Sequence, residues 1–217
     1  MFKKVIKAVP VLDLRNYTPK ALSKIKSISA VALLMLPENP SEEFMDKFSK
    51  IKLNAIASTV NVPSDKTVST FNGVTIVSGE NVPDNSICIC NGVTVIHSVD
   101  SNKNVEFILN GLVIKQSSAS VKYLACNGRT ADWDFDGSKV LVFNNTIEIG
   151  LHFLNNCEEG TVVVAGNKVT ISPEVEEDEL VKRNIRFAAG NKIVCGKKVY
   201  GYVVNKSVVG NKVEVED

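Results

Sequence analysis

Phe71-Asn72-Gly73-Val74, Cys90-Asn91-Gly92-Val93 and Leu109-Asn110-Gly111-Leu112 repeat at a fixed step of 19 residues (72 to 91, 91 to 110), and Cys126-Asn127-Gly128 follows 17 later. Phe143-Asn144-Asn145, Gly166-Asn167-Lys168-Val169, Gly190-Asn191-Lys192-Ile193 and Gly210-Asn211-Lys212-Val213 read as decayed versions of the same signal. Short apolar stretches such as Ile87 to Cys90 and Val93 to Ile96 flank these sites and predict strands. Two architectures fit. Asn-Gly between strands is a strong hairpin signal, because both residues tolerate the positive φ of a type I′ turn. That reading sets Glu106 opposite Lys115 as a cross-strand pair. Alternatively each Asn-Gly is a corner in a parallel β-solenoid, and residues at equal positions stack as ladders: Phe71/Cys90/Leu109, Val74/Val93/Leu112 and Ile76/Val95/Ile114. The regular step favours the solenoid, since hairpins do not require equal connections between them. An antiparallel meander or sandwich is the alternative.

Towards the N-terminus, Val9-x-x-Leu12-x-Leu14, Val31-x-x-Leu34-x-Leu36 and Leu53-x-x-Ile56-x-Ser58 align at steps of 22 (9 to 31, 31 to 53). Asn39 and Asn61 follow the second and third units, and Tyr17 the first. Thr18-Pro19 and Asn39-Pro40 each place a capping residue before a proline, which suits the first helical position. Glu42 could close a capping box with Asn39. Leu22, Ile25 and Ile28 recur on one helical face, and Phe44, Phe48 and Ile51 on another. Each unit therefore reads as a strand and a short amphipathic helix, with successive strands parallel.

These residues resemble leucine-rich repeats, whose L-x-x-L-x-L-x-x-N pattern is met best by Val31 to Asn39. The resemblance covers about residues 9–62, with Ser58 in place of a leucine and Tyr17 in place of an asparagine. It implies a concave, partner-binding strand surface and an asparagine ladder at Asn39 and Asn61. A plain βαβαβ layer with coincident spacing is the other reading.

Ser172-Pro173-Glu174 through Arg186 predicts a short surface helix, acidic early and basic late, in the order that complements the helix dipole. The tail from Asn191 to Glu216 returns to short Val-rich strands. The expected organisation is a βα repeat region over 1–65, a β-repeat region over 66–171, and a helix with terminal strands over 172–217, continuous with the same solenoid. The fold class expected is mainly β with an α/β start.

Composition narrows the function classes. The chain has 217 residues, 44% hydrophobic and 23% charged, which is ample for a core and argues against disorder. A net charge of +1 and 6% aromatic residues provide neither the basic face nor the stacking platform of a nucleic-acid binder. Lys7, Pro10, Asp13 and Arg15 interrupt any apolar core of a leader. No apolar run approaches the roughly 18 residues that span a bilayer. A cytoplasmic protein with no membrane or nucleic-acid partner is expected. Five cysteines (Cys88, Cys90, Cys126, Cys157 and Cys195) form no C-x-x-C pair and read as core filler.

Asp132-Trp133-Asp134-Phe135-Asp136-Gly137 is the one segment suggestive of ligand chemistry. Asp132, Asp134 and Asp136 at alternate positions, followed by glycine, match the first half of a calcium loop, but Phe143 stands where its bidentate glutamate belongs. The competing reading is a strand that buries Trp133 and Phe135 and turns the three carboxylates to water. Clustered aspartates also serve glycan cleavage. His97 and His152, in strand-like runs more than fifty residues apart, have no metal or nucleophile spacing, and phosphate-binding glycine loops are missing from the sequence. No cofactor is expected. The leading expectation is a non-enzymatic structural scaffold or protein-interaction module that could self-associate. The alternative is a carbohydrate-active or calcium-binding protein using Asp132, Asp134 and Asp136.

Overall fold

The computed structural model describes residues 3–135 and 137–216. The chain is mostly β, every strand pairing is parallel, and it divides between residues 66 and 67 into two compact units.

In the first unit β1 (Lys4–Asp13), α1 (Pro19–Leu22), β2 (Ile25–Pro37), α2 (Glu42–Phe48) and β3 (Lys52–Val62) build a sheet ordered β1-β2-β3. One face carries Ile6, Leu12, Val31 and Leu34, covered by Leu22 and Phe44 of the helices. Ala8, Ala30 and Ala55 all have left-handed backbone (φ 53°, 54° and 53°) and lie at equivalent places along the three strands. They fix the true repeat: 30 − 8 gives 22 residues and 55 − 30 gives 25. The expected second step of 22 is therefore wrong. Val31 pairs with Ile56, and Leu53 pairs with Ile28. The cause is helix length, since α2 has seven residues and α1 four.

That shift removes the Asn39/Asn61 ladder, because Asn61 sits beside Leu36. Thr18 caps α1 as expected, its hydroxyl accepting from the Ala21 amide at 3.2 Å. The second cap is Ser41 rather than Asn39, accepting from the Phe44 amide at 3.2 Å. Ile25 and Ile28 belong to β2, not to a helical face. Phe44 and Phe48 do share one face of α2, their ring centroids 6.1 Å apart.

The second unit holds two stacks of strands. The first comprises β4 (Thr67–Val77), β5 (Ser86–Ile96), β6 (Val105–Gln116) and β7 (Lys122–Trp133), paired in that order. Asn72, Asn91, Asn110 and Asn127 fall in register, as do the glycines that follow them. Phe71/Cys90/Leu109, Val74/Val93/Leu112 and Ile76/Val95/Ile114 stand side by side as the parallel reading expects. The hairpin pairing of Glu106 with Lys115 does not occur. Each instead pairs with β7, Glu106 with Lys122 and Lys115 with Asp132 at 2.9 Å.

The second stack contains β8 (Val140–Phe143), β9 (Thr146–Ile149), α3 (Leu151–Asn155), β10 (Val162–Ala165), β11 (Lys168–Ile171), α4 (Glu177–Arg183), β12 (Arg186–Ala189), β13 (Lys192–Cys195), a 3₁₀ turn (Lys197–Val199), α5 (Tyr200–Asn205), β14 (Ser207–Val209) and β15 (Lys212–Val215). Two-residue corners such as Gly166-Asn167 carry the chain from the sheet β14-β12-β10-β8 to the sheet β15-β13-β11-β9. Strands on either side of a corner thus pair with the neighbouring repeats rather than with each other. α4 begins later than Ser172, at Glu177, and ends on Asn184 in the left-handed conformation that commonly closes helices. Leu151-His152-Phe153 is helical rather than strand-like, and residues 197–205 interrupt the expected terminal strands.

β10 is apolar throughout because both of its faces are covered. Val163 and Ala165 face a core shared with Leu154, Leu180, Phe187 and Val203. Val162 and Val164 face Val93, Val95, Leu112 and Ile114 of the first stack. Full burial of each such side chain contributes roughly 1.5–3 kcal/mol. Tyr202 of α5 shares its one hydroxyl proton between the Leu180 carbonyl oxygen of α4 and the Ile185 carbonyl oxygen just before β12, each 2.9 Å away.

Two predictions follow from this packing. A Cβ at Gly111 (φ 131°) would stand 2.2 Å from the Gly92 carbonyl oxygen, whereas one at Gly73 (φ 81°) meets nothing within 4 Å. Gly111→Ala should destabilise the second unit by ~3 kcal/mol or more in urea titrations, and Gly73→Ala by about 1 kcal/mol, the backbone strain alone. Burial raises the Tyr202 phenol from the ordinary 10.0 to about 12. A raised folded pKa means that its contribution is complete below pH 10 and lost as pH rises to about 12. Tyr202→Phe should cost ~1–3 kcal/mol at pH 7 by removing this buried hydrogen bond, and the gap to the parent should narrow across that alkaline window.

Candidate functional site

Side-chain amides line both corners of the second unit. Asn91 Nδ2 donates to Asn72 Oδ1 at 2.9 Å, Asn110 Nδ2 to Asn91 Oδ1 at 2.9 Å, and Asn127 Nδ2 to Asn110 Oδ1 at 3.1 Å. A second ladder runs Asn191 to Asn167 at 3.1 Å and Asn167 to Asn145 at 3.2 Å. Each amide satisfies its neighbour, which is possible only when identical residues sit at a common height in parallel strands. Between the corners lies a hollow of 330 Å³ lined by Gly92, Gly111, Gly166, Gly190 and Arg129. Arg129 Nη1 donates to the Val209 carbonyl at 3.0 Å, tying the last strand of the first stack to the end of the second.

β7 is the terminal strand of its sheet, bonded on one side to β6. Its residues Lys122, Tyr123, Cys126, Asn127, Arg129 and Asp132 are exposed. One extra residue enters β7 where the register shifts opposite Phe107/Ile108.

Asp134 and Phe135 follow directly on β7. Asp132 lies one residue before the end of β7, and its carboxylate pairs with Lys115. Asp134 Oδ1 accepts from Gln116 Nε2 at 3.0 Å, and the Phe135 amide donates to Gln116 Oε1 at 2.8 Å. Arg186 donates to the Asp134 carbonyl at 2.5 Å while its guanidinium lies 5.5 Å from the Trp133 ring centre. Phe135 is buried, its ring edge-on to His97 at 5.6 Å. Asp136 lies outside the described residues. Gln116 and Arg186, 18 and 52 residues from Asp134, are the partners that sequence spacing did not reveal. His152 lies on α3 beside a separate hollow of 380 Å³ with Leu141, Phe153 and Cys157. The two histidines thus occupy different places. Among the described residues no three His, Cys, Asp or Glu side chains gather in a metal-binding group. No described helix is long and apolar enough to cross a membrane.

Four cysteines, Cys88, Cys90, Cys157 and Cys195, are buried as expected of core filler, but Cys126 is exposed on β7. Burial drives the Cys90 thiol up to about 12 and raises those of Cys88 and Cys195. Glu214, bonded by Lys192 and Lys212, is lowered to about 2.

No protein-family model, no curated protein and no solved structure matches this chain.

Because the thiolate is the reactive form, a dilute native sample should titrate a single fast thiol with an aromatic disulfide reagent at pH 8. Cys126→Ser should abolish that phase, and denaturant should release the remaining four. Two or more fast thiols in the parent would contradict the burial described.

Proposed function

We propose that this protein is a non-enzymatic scaffold or protein-interaction module, built as a parallel β-solenoid and working in the cytoplasm. The observation that carries this reading is the open edge of β7, an exposed strand at the end of an in-register stack. Unpaired strand edges recruit further strands, and repeat stacks present long, regular surfaces for partners. The in-register Asn-Gly positions support the solenoid description. The leucine-rich-repeat likeness is supported over the first two units, where the 22-residue step holds.

A carbohydrate-active or calcium-binding role for Asp132, Asp134 and Asp136 has less support. Lys115 already neutralises Asp132, and Gln116 engages Asp134. Bringing Asp132 and Asp134 to a common ion would mean giving up those two contacts.

The test is the mass of the chain in gently prepared native extract, read by sedimentation after mild amine cross-linking. The expected result is an assembly heavier than the 23.6 kDa monomer. Monomer mass both in extract and after purification would defeat the scaffold reading.

A further inference from the structure

We propose that Arg129 and Asn144 close the two ends of the second stack against a second copy of this chain, and so hold the protein back from head-to-tail growth. This rests on the solenoid and interaction reading above and removes one partner from it, a copy that continues the same repeats.

One end is closed by a borrowed hydrogen bond. Phe143, Ala165, Ala189 and Val209 stand side by side in β8, β10, β12 and β14. The first three carbonyl oxygens each accept the backbone amide of the following corner, from Gly166 at 2.9 Å, Gly190 at 3.0 Å and Gly210 at 2.9 Å. Val209 lies in the terminal strand of its sheet. Its carbonyl oxygen accepts from Arg129 Nη1 at 3.0 Å instead. The guanidinium takes the place of the amide that a further repeat would bring, and an edge whose acceptor is satisfied recruits strands poorly.

An offset between the stacks puts Arg129 there. A Cβ added at Gly166 or Gly190 would stand 2.9 Å from Val74 or Val93 Cγ2, so β4 lies against the corner after β10 and β5 against the corner after β12. Leu112 of β6 and Gly210 continue the match and line one hollow. Arg129 pairs with Leu112 in the next strand, one repeat beyond the last corner, and reaches back to it.

The other end is closed by a side chain. A Cβ at Gly166, Gly190 or Gly210 would stand 2.1, 2.1 or 2.0 Å from the carbonyl oxygen of the corner before it. Glycine is therefore required wherever one of these corners lies on another. Asn144 holds the equivalent place beside β8, is exposed, and alone of the four carries a Cβ. A second copy that added its β8 to β14 would drive that Cβ into the Gly210 carbonyl. The first stack has no such barrier, since a Cβ at Gly73 meets nothing within 4 Å. Yet β4 matches β10, one repeat after β8, so seating β4 of a second copy on β7 would bring Asn144 of that copy onto Gly210 as well.

Sedimentation velocity of the purified parent should show a 23.6 kDa monomer at every concentration. Arg129→Ala and Asn144→Gly should each stay monomeric alone, because every joint would still meet one closed surface. Mixed in equal amounts they should form a one-to-one complex and nothing larger, since only one tail and one head are then open. The double variant should grow into an open-ended series, as contacts between unlike surfaces do. If Arg129→Ala does not fold by circular dichroism, Arg129→Met, which cannot donate to Val209, carries the same expectation. A parent that self-associates, a mixture of folded variants that stays monomeric, or a mixture that passes beyond two copies would overturn the proposal. The scaffold reading is tested apart from this by mass in native extract, where a heavier assembly supports it whichever way the mixture behaves.

Discussion

The second unit depends on backbone contact between corners. Gly128 approaches Gly111 so closely that a Cβ would stand 1.8 Å from the Gly111 carbonyl oxygen, and Gly210 approaches Gly190 to 2.0 Å by the same measure. Such contact holds neighbouring repeats at strand spacing and in register. Once the corners stack, the asparagines beside them fall within hydrogen-bonding distance, and the apolar positions of each arm align into ladders. A side chain at the corner would lift one repeat off the next and break the alignment on both arms.

The two stacks stabilise each other through a shared layer. Val93, Val95, Leu112 and Ile114 meet Val162, Val164 and Ala188, so the sheet containing β10 is buried on both faces. The segment after Trp133 connects the end of one stack to the beginning of the other. Gln116 and Arg186 bind the backbone of Phe135 and Asp134, and the Phe135 side chain is buried. The local acidic pattern of Asp132 and Asp134 is thereby absorbed into a tether: one carboxylate balances Lys115 and the other receives the Gln116 amide.

Several elements were legible because their signal is local or strictly periodic. The Asn-Gly spacing named the ladder partners of β4 to β6, and Thr18-Pro19 marked the start of α1. Other elements were not. α3 and α5 have five and six residues, too short to stabilise themselves, and their helicity comes from packing Leu154, Tyr202 and Val203 into the core. The third N-terminal unit was displaced because a ladder fixes the strand register but not the length of the intervening helix. Asn39-Pro40 resembled a cap, yet Ser41 sits nearer the first buried turn around Phe44 and takes that role.

By itself, then, the sequence determined the repeat, the corner residues and the equal positions that stand side by side, because parallel ladders join like with like at each repeat. Only the tertiary structure decided that the Asn-Gly sites are not hairpins, that the two stacks share a layer, and that β7 keeps an open edge. Those outcomes rest on pairings such as Val93 beside Gly190 and Arg129 on Val209, the second 80 positions apart in the chain, that no local period connects.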